Sequence, residues 1–102
     1  GERLKRGFTE LGFVVAADPR YASPVVTEFI TPPGISAKEL RAWYMTAHNT
    51  MVGQGGRVDA DGRSVSFRIA HFGRAAEADR IDFMIAITRE FMGMRTKSAA
   101  PG

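Results

Sequence analysis

The sequence contains no cysteine among its 102 residues. Disulfide bonds and thiolate metal sites are therefore excluded, and the composition suits the reducing cytoplasm, where we expect the protein to be located. No apolar run approaches the roughly 18 residues that a membrane-spanning helix needs, so no membrane association is expected. The two histidines, His48 and His71, have no partners at metal-binding spacing, and no metal site is predicted.

Neither sign of charge dominates the sequence, which contains 14 basic and 11 acidic residues. A basic domain can bind nucleic acid. The arginines, however, are scattered from Arg3 to Arg95 with acidic residues between them, and no basic cluster forms. Nucleic acid is therefore not a predicted partner. The content of 44% hydrophobic residues is typical of one globular domain with a modest core.

Three segments have the apolar spacing of amphipathic helices. The first covers residues 2–11 and is followed by Gly12, which suits the position after a helix end. The second begins at Ser36, where Glu39 three residues later indicates a capping box. The third runs from about residue 77 to 92. The residues predicted to face the core are Leu4, Phe8, Leu11, Leu40, Trp43, Tyr44, Ala47, Ile81, Met84, Ile85, Thr88, Phe91 and Met92, with Phe83 and Ile87 widening the stripe of the third helix.

Apolar segments at 13–17, 24–30 and 64–70 predict strands, and a further short strand is expected before the last of them. The element order is helix, strand, strand, helix, short strand, strand, helix. We therefore predict an α+β fold, in which helices pack on one small mixed or antiparallel sheet. Residues 1–94 are expected to form a single domain and 95–102 a flexible tail. Because the chain starts with Gly1, we expect it to be a piece of a longer protein.

The predicted strand at 64–70 carries an arginine among apolar residues. Side chains alternate between the two faces of a strand, so the apolar residues 65, 67 and 69 form a core face. On the other face Arg68 stands between two small residues, Ser66 and Ala70. Two interpretations stay open. Arg68 is an exposed surface residue, or it binds an anion, since a guanidinium holds a carboxylate through two parallel hydrogen bonds.

A glycine-rich segment, formed by Gly53, Gln54, Gly55 and Gly56, precedes this strand. Its backbone N–H groups could cradle a phosphate, but the segment matches neither the P-loop nor the dinucleotide-binding fingerprint. A flexible turn is the favoured interpretation. Together with the following "RVDADGR" it makes a loop over residues 53–63, which is long enough to be mobile or functional.

No residue of the chain is predicted to be catalytic. The serines lack a nucleophile-elbow motif. Lys5, Lys38 and Lys97 lie in polar or tail contexts, without the apolar pocket that activates a Schiff-base lysine.

Several strings together resemble a known family. They are "RGFTELGF", "SPVVTEFITPPGISAKEL", "GQGG" and "FRIAHFG", and they extend over most of the chain from about Lys5 to Met92. Their order is similar to that in the C-terminal small domain of class V pyridoxal-phosphate aminotransferases, such as the alanine–glyoxylate, serine–glyoxylate and 2-aminoethylphosphonate transaminases. The most specific part is the aromatic-Arg-Ile-x-x-x-Gly string at Phe67–Gly73.

The resemblance implies that Arg68 binds the α-carboxylate of a small amino or keto acid substrate. It also implies that residues 53–56 lie at the mouth of the active site, and that the domain closes against a large pyridoxal-phosphate domain in a homodimeric enzyme. The chain lacks the family's Schiff-base lysine, so the 102 residues alone are expected to be inactive and to hold no cofactor.

The sequence departs from the family at several points. Ala70 stands where the family usually has glycine, Ala76 stands where a Ser or Thr usually caps the last helix, and the insertion "RVDADGR" is longer than in many relatives. A second interpretation stays open beside the resemblance, in which the chain is a free-standing module with a ferredoxin-like layout that uses Arg68 to bind an anionic metabolite.

Overall fold

In a computed structural model of the protein, the described residues are 2–16, 26–70 and 77–99. They form three helices, α1 (Glu2–Glu10), α2 (Ala37–His48) and α3 (Glu77–Ala99), and four strands, β1 (Val14–Val15), β2 (Val26–Ile30), β3 (Gly53–Gln54) and β4 (Ser66–Ala70). The predictions made for Pro24, His71, Gly73 and Ala76 lie outside the described residues. None of the described helices is both long and apolar enough to cross a membrane.

The four described strands form one sheet in the order β1-β2-β4-β3, and every neighbouring pair is antiparallel. The predicted α+β fold is therefore confirmed. In the central pair, β2 and β4, Phe29 lies opposite Phe67 and Glu28 lies opposite Arg68. Since successive side chains alternate between faces, this register places an aromatic pair on one face of the sheet and a charged pair on the other.

Four phenylalanines make the centre of the core. Phe8 from α1 stacks on Phe29 with 4.5 Å between the ring centroids, and Phe13 meets Phe67 edge to face at 5.8 Å. All four rings are almost completely buried. Offset stacks and edge-to-face contacts are the arrangements that aromatic rings prefer, so this cluster fixes α1 on the sheet as well as excluding water.

Helix α2 begins as predicted. Ser36 is its N-cap, and its hydroxyl accepts a hydrogen bond from the backbone N–H of Glu39. Leu40 and Tyr44 on the same helix are fully buried, whereas Ala47 is exposed, so the prediction that Ala47 faces the core is wrong. On the third helix Ile87 is buried as predicted, whereas Phe83 is 45% exposed, so its prediction is wrong as well.

Helices α2 and α3 are joined by a buried polar contact. The Thr88 hydroxyl donates to the Met84 carbonyl at 2.6 Å, so it accepts its other hydrogen bond from the Tyr44 hydroxyl. Burial raises the pKa of Tyr44, and the hydrogen bond to Thr88 offsets only part of that rise. The phenol therefore stays neutral, as a hydrogen-bond donor in the core must.

Several boundaries differ from the predictions, among them that of β1, which covers only Val14–Val15 of the predicted 13–17. Helix α3 continues to Ala99, well beyond the predicted end near Met92. The β4 ladder starts at Ser66 rather than Ser64, because Ser64 instead bridges to Val58 across the preceding loop. The division into a domain at 1–94 and a flexible tail stays a prediction.

Candidate functional site

Arg68 lies on the sheet face opposite the phenylalanine core, as the alternation predicts. Its side chain is 29% exposed, while that of its cross-strand neighbour Glu28 is 6% exposed. The Nε atom of Arg68 lies 3.5 Å from Oε1 of Glu28. Arg68 is therefore neither a solvated surface arginine nor an arginine without an anion, since the chain supplies a carboxylate of its own.

The Glu28 carboxylate is held by hydrogen bonds that do not involve Arg68. Its Oε2 accepts from the Ser66 hydroxyl at 2.6 Å and from the Gly56 backbone N–H at 3.0 Å. The Ser66 oxygen in turn accepts from the Arg57 backbone N–H at 3.0 Å. A buried carboxylate is tolerated only with such donors, so the segment after β3 has the geometry that Glu28 requires. We call Glu28, Ser66, Arg68 and residues 53–57 the polar cluster.

Gly55 explains why this segment is rich in glycine. A Cβ atom built on Gly55 would lie 2.0 Å from the Ser66 oxygen and 2.6 Å from the Ser66 carbonyl carbon. No side chain fits there, and only glycine lets the two backbones approach so closely. The Gly55 N–H donates to the Ser66 carbonyl at 3.1 Å as a result. Gly53 and Gln54 are therefore a strand, β3, rather than a turn, and Gly55 adds one further hydrogen bond to β4.

The hydrogen bonds of residues 55–57 also test whether this segment could bind a phosphate through its backbone N–H groups. The N–H groups of Gly55, Gly56 and Arg57 are the donors that a phosphate-binding loop would present to its ligand. Here they donate to Ser66 and Glu28 instead. The segment thus serves an internal carboxylate.

Two opposing influences act on Glu28. Burial by itself raises the pKa of this carboxyl, but the hydrogen bonds from Ser66 and Gly56 and the positive charges of Arg68 and Arg57 outweigh it. The pKa of Glu28 is therefore lowered below the usual value for glutamate. Glu28 carries its negative charge throughout the neutral range.

The guanidinium of Arg68 lies over the glycine segment. Its Nη1 donates to the Gln54 carbonyl at 3.3 Å, and a Cβ on Gly56 would lie 3.4 Å from Nη2. Arg68 also lines a cavity of about 360 Å³, whose other walls are mostly apolar and include Val52 and Met84. Arg68 thus combines a part-exposed guanidinium with a place in the lining of a mostly apolar cavity, and small-ligand sites are typically apolar cavities with a few polar groups.

The outer part of the loop, residues 57–64, is also ordered. The Asp59 carboxylate accepts from the backbone N–H groups of Asp61 and Arg63, both at 2.9 Å, and Gly62 takes the left-handed φ of 78° that the turn needs. Asp side chains commonly close turns in this way. The long loop is therefore a hairpin extension.

A pyridoxal-phosphate site needs a lysine for the Schiff base and groups that hold the phosphate. Among the described side chains, Lys5 and Lys38 are exposed on the surfaces of α1 and α2, and neither belongs to the polar cluster. The described residues thus do not fit this cofactor. They also contain no group of three or more His, Asp or Glu side chains able to hold a metal ion.

Sequence reasoning identified Arg68 and the glycine segment but missed Glu28 and the burial of Ser66. A signal for Glu28 was present, since it is a carboxylate in the middle of the apolar string "PVVTEFI". Its meaning depends on the pairing of β2 with β4, which brings residues forty positions apart into contact. That register is not visible in either strand alone.

No family profile and no curated protein matches this sequence. Among solved structures, an alanine–glyoxylate aminotransferase from Nostoc sp. matches 83% of this chain with a TM-score of 0.64 and 22% sequence identity. The match covers 22% of that protein, so the chain spans about a fifth of its length. At this identity the likeness shows the fold, and the predicted aminotransferase-like fold is confirmed. The class V assignment and the roles of Arg68 and residues 53–56 stay predictions.

Proposed function

We propose that this chain is the C-terminal small domain of a class V pyridoxal-phosphate aminotransferase and that Arg68 binds the α-carboxylate of its amino donor and 2-oxo acid. The observation that carries the proposal is the placement of Arg68, whose part-exposed guanidinium lies beside the glycine segment and which also belongs to the lining of a mostly apolar cavity. The fold shared with part of an aminotransferase supports it. So does the motif around Arg68, which resembles that of the family.

In this proposal Arg68 acts by binding and orientation. A carboxylate anchored by two hydrogen bonds to a guanidinium has little freedom to rotate, so the rest of the substrate is held in one direction. The cofactor and the lysine that reacts with it belong to a large domain outside this chain. The full enzyme is proposed to be a homodimer in the cytoplasm.

Two exposed apolar side chains support the proposal that a second domain covers this site. Met51 and Val58, which flank the glycine segment, are 77% and 61% exposed. Apolar side chains at the edge of a site are often covered when a second domain closes over it.

The test uses the full-length gene product supplied with pyridoxal phosphate. We expect small amino acids to change the absorbance of the cofactor, and Arg68→Ala to require at least tenfold more of each carboxylate donor, since it removes a charge-assisted bidentate contact. 2-Aminoethylphosphonate, which has no carboxylate, is added for comparison. Arg63→Ala is the matched control, because Arg63 is an exposed arginine of the same hairpin.

Two results would contradict the proposal. If Arg68→Ala and Arg63→Ala respond to carboxylate donors alike, Arg68 is not the carboxylate-binding residue. If the wild type binds no pyridoxal phosphate, the likeness is one of fold alone. The ferredoxin-like module that binds an anionic metabolite then becomes the better interpretation.

A further inference from the structure

The position of the Glu28 carboxylate is fixed by groups other than Arg68. Its Oε2 is bound by the Ser66 hydroxyl and the Gly56 N–H, while its Oε1 is the atom nearest to Arg68. Removing the positive charge from its neighbourhood would thus leave the carboxylate anchored by two hydrogen bonds. The negative charge of Glu28 is therefore held in one place by Ser66 and Gly56 and does not behave as a mobile counter-ion.

This fixed charge lies where an incoming anion meets Arg68. A guanidinium has five N–H donors, which are enough to serve an internal and an external carboxylate together. An external carboxylate at Arg68 is attracted by the guanidinium and repelled by Glu28. Because Glu28 is buried and Arg68 only part-exposed, water screens this repulsion less than it would between surface charges.

We propose that Glu28 is an affinity-setting residue, whose fixed carboxylate competes with the substrate carboxylate for Arg68 and keeps substrate binding weak and readily reversible. This rests on the proposed function of Arg68. It adds a role for Glu28 and Ser66, both of which lie outside the Phe67–Gly73 string that contains Arg68. A weakly held carboxylate suits a site that must bind one acid and release another in each cycle.

The experiment measures binding of pyruvate to the full-length gene product by calorimetry, in the wild type and in Glu28→Gln. The glutamine keeps a carbonyl oxygen for Ser66 and Gly56 but removes the charge. We expect pyruvate to bind at least tenfold more tightly to Glu28→Gln, because two unit charges a few ångströms apart interact by about 1 kcal/mol even in bulk water and by more where water screens them less. A gain in affinity is informative, since damage to the hairpin would lower affinity instead.

Two controls separate charge from geometry. Glu28→Asp keeps the charge on a shorter side chain and should show no comparable gain. Glu90→Gln removes an exposed carboxylate on α3, outside the polar cluster, and should leave the affinity unchanged. An unchanged or reduced affinity in Glu28→Gln, or an equal gain in Glu28→Asp, would overturn the inference.

The Arg68→Ala variant distinguishes the two proposals. If it loses pyruvate binding while Glu28→Gln behaves as wild type, the role of Arg68 stands and only the inference about Glu28 fails. If Arg68→Ala binds pyruvate as the wild type does, the proposed function fails, and the inference that rests on it fails too.

A measurement on the wild type covers the case in which Glu28→Gln does not fold. Coupling between two sites is reciprocal, so an anion that competes with Glu28 for Arg68 must raise the pKa of Glu28 when it binds. The carboxyl carbon of Glu28 is followed by NMR across acidic pH with and without pyruvate, which stays ionised at lower pH than a simple carboxylic acid. A Glu28 pKa that pyruvate leaves unchanged would equally overturn the inference.

Discussion

The two faces of the β2–β4 pair stabilise the domain by different means. On one face Phe29 and Phe67 pack into an aromatic core, and on the other Glu28 faces Arg68. Apolar burial has no preferred direction, so the first face needs only side chains of suitable volume. A buried carboxylate needs specific donors, and the second face obtains them from Ser66 at the start of β4 and from the backbone of Gly56 after β3. The comparison teaches that one strand register can serve both purposes.

The largest expected effect comes from emptying the aromatic face. Phe67 is fully buried and contacts the rings of Phe8, Phe13, Phe29 and Tyr44. Phe67→Ala should lower the free energy of unfolding by about 3–5 kcal/mol, through lost burial and the cavity left behind. Urea denaturation measures it. A loss below about 1 kcal/mol would mean that this face is not the main support of the sheet.

A smaller effect is expected at the polar face from Gly55→Ala. The new Cβ would overlap Ser66, so the hairpin must shift, and overpacking of this kind costs about 1–3 kcal/mol. Thermal unfolding is the measurement. Gly93→Ala is the matched control: Gly93 lies in α3 with open space around it, and alanine should stabilise the helix by about 0.5–1 kcal/mol. Equal responses at the two glycines would contradict the close approach at Gly55.

The smallest expected effect is a dependence of stability on pH, which should arise at the face that contains Glu28 and not at the aromatic face. The folded-state pKa of Glu28 is lowered, so its ionised form stabilises the fold above the ordinary pKa of glutamate, and this contribution is lost as pH falls through the lowered value. At neutral pH Glu28→Gln should cost about 1 kcal/mol of unfolding free energy, and in acid the gap to the wild type should narrow. Urea midpoints at neutral and acidic pH provide the test. A gap that is the same at both would show that the Glu28 charge contributes nothing.

Local signals predicted the elements well. The Ser36 cap needs only residues within one turn, and it was recognised as a capping box. Gly12 has the left-handed φ of 94° expected after α1. Arg68 could be assigned to the face away from the core by counting along one strand. In each case the interacting groups lie close together in the sequence.

Signals that depend on distant partners failed. The sequence predicts Ser66 only as a small residue beside Arg68, yet the structure buries it completely. Helical spacing predicts Ala47 on the core face, but Ala47 is exposed although Phe83 of α3 contacts the next residue, His48. Burial is a property of what packs against a residue, and periodicity cannot supply it.

The sequence by itself determined where the helices begin, which face of β4 is apolar and that a glycine-rich segment precedes Arg68, because these depend on neighbours within a few residues. Only the tertiary structure decided what the segment is for. It brings Glu28, Ser66 and Gly55–Gly56 together from three parts of the chain, since a buried charge must collect its donors wherever the fold places them.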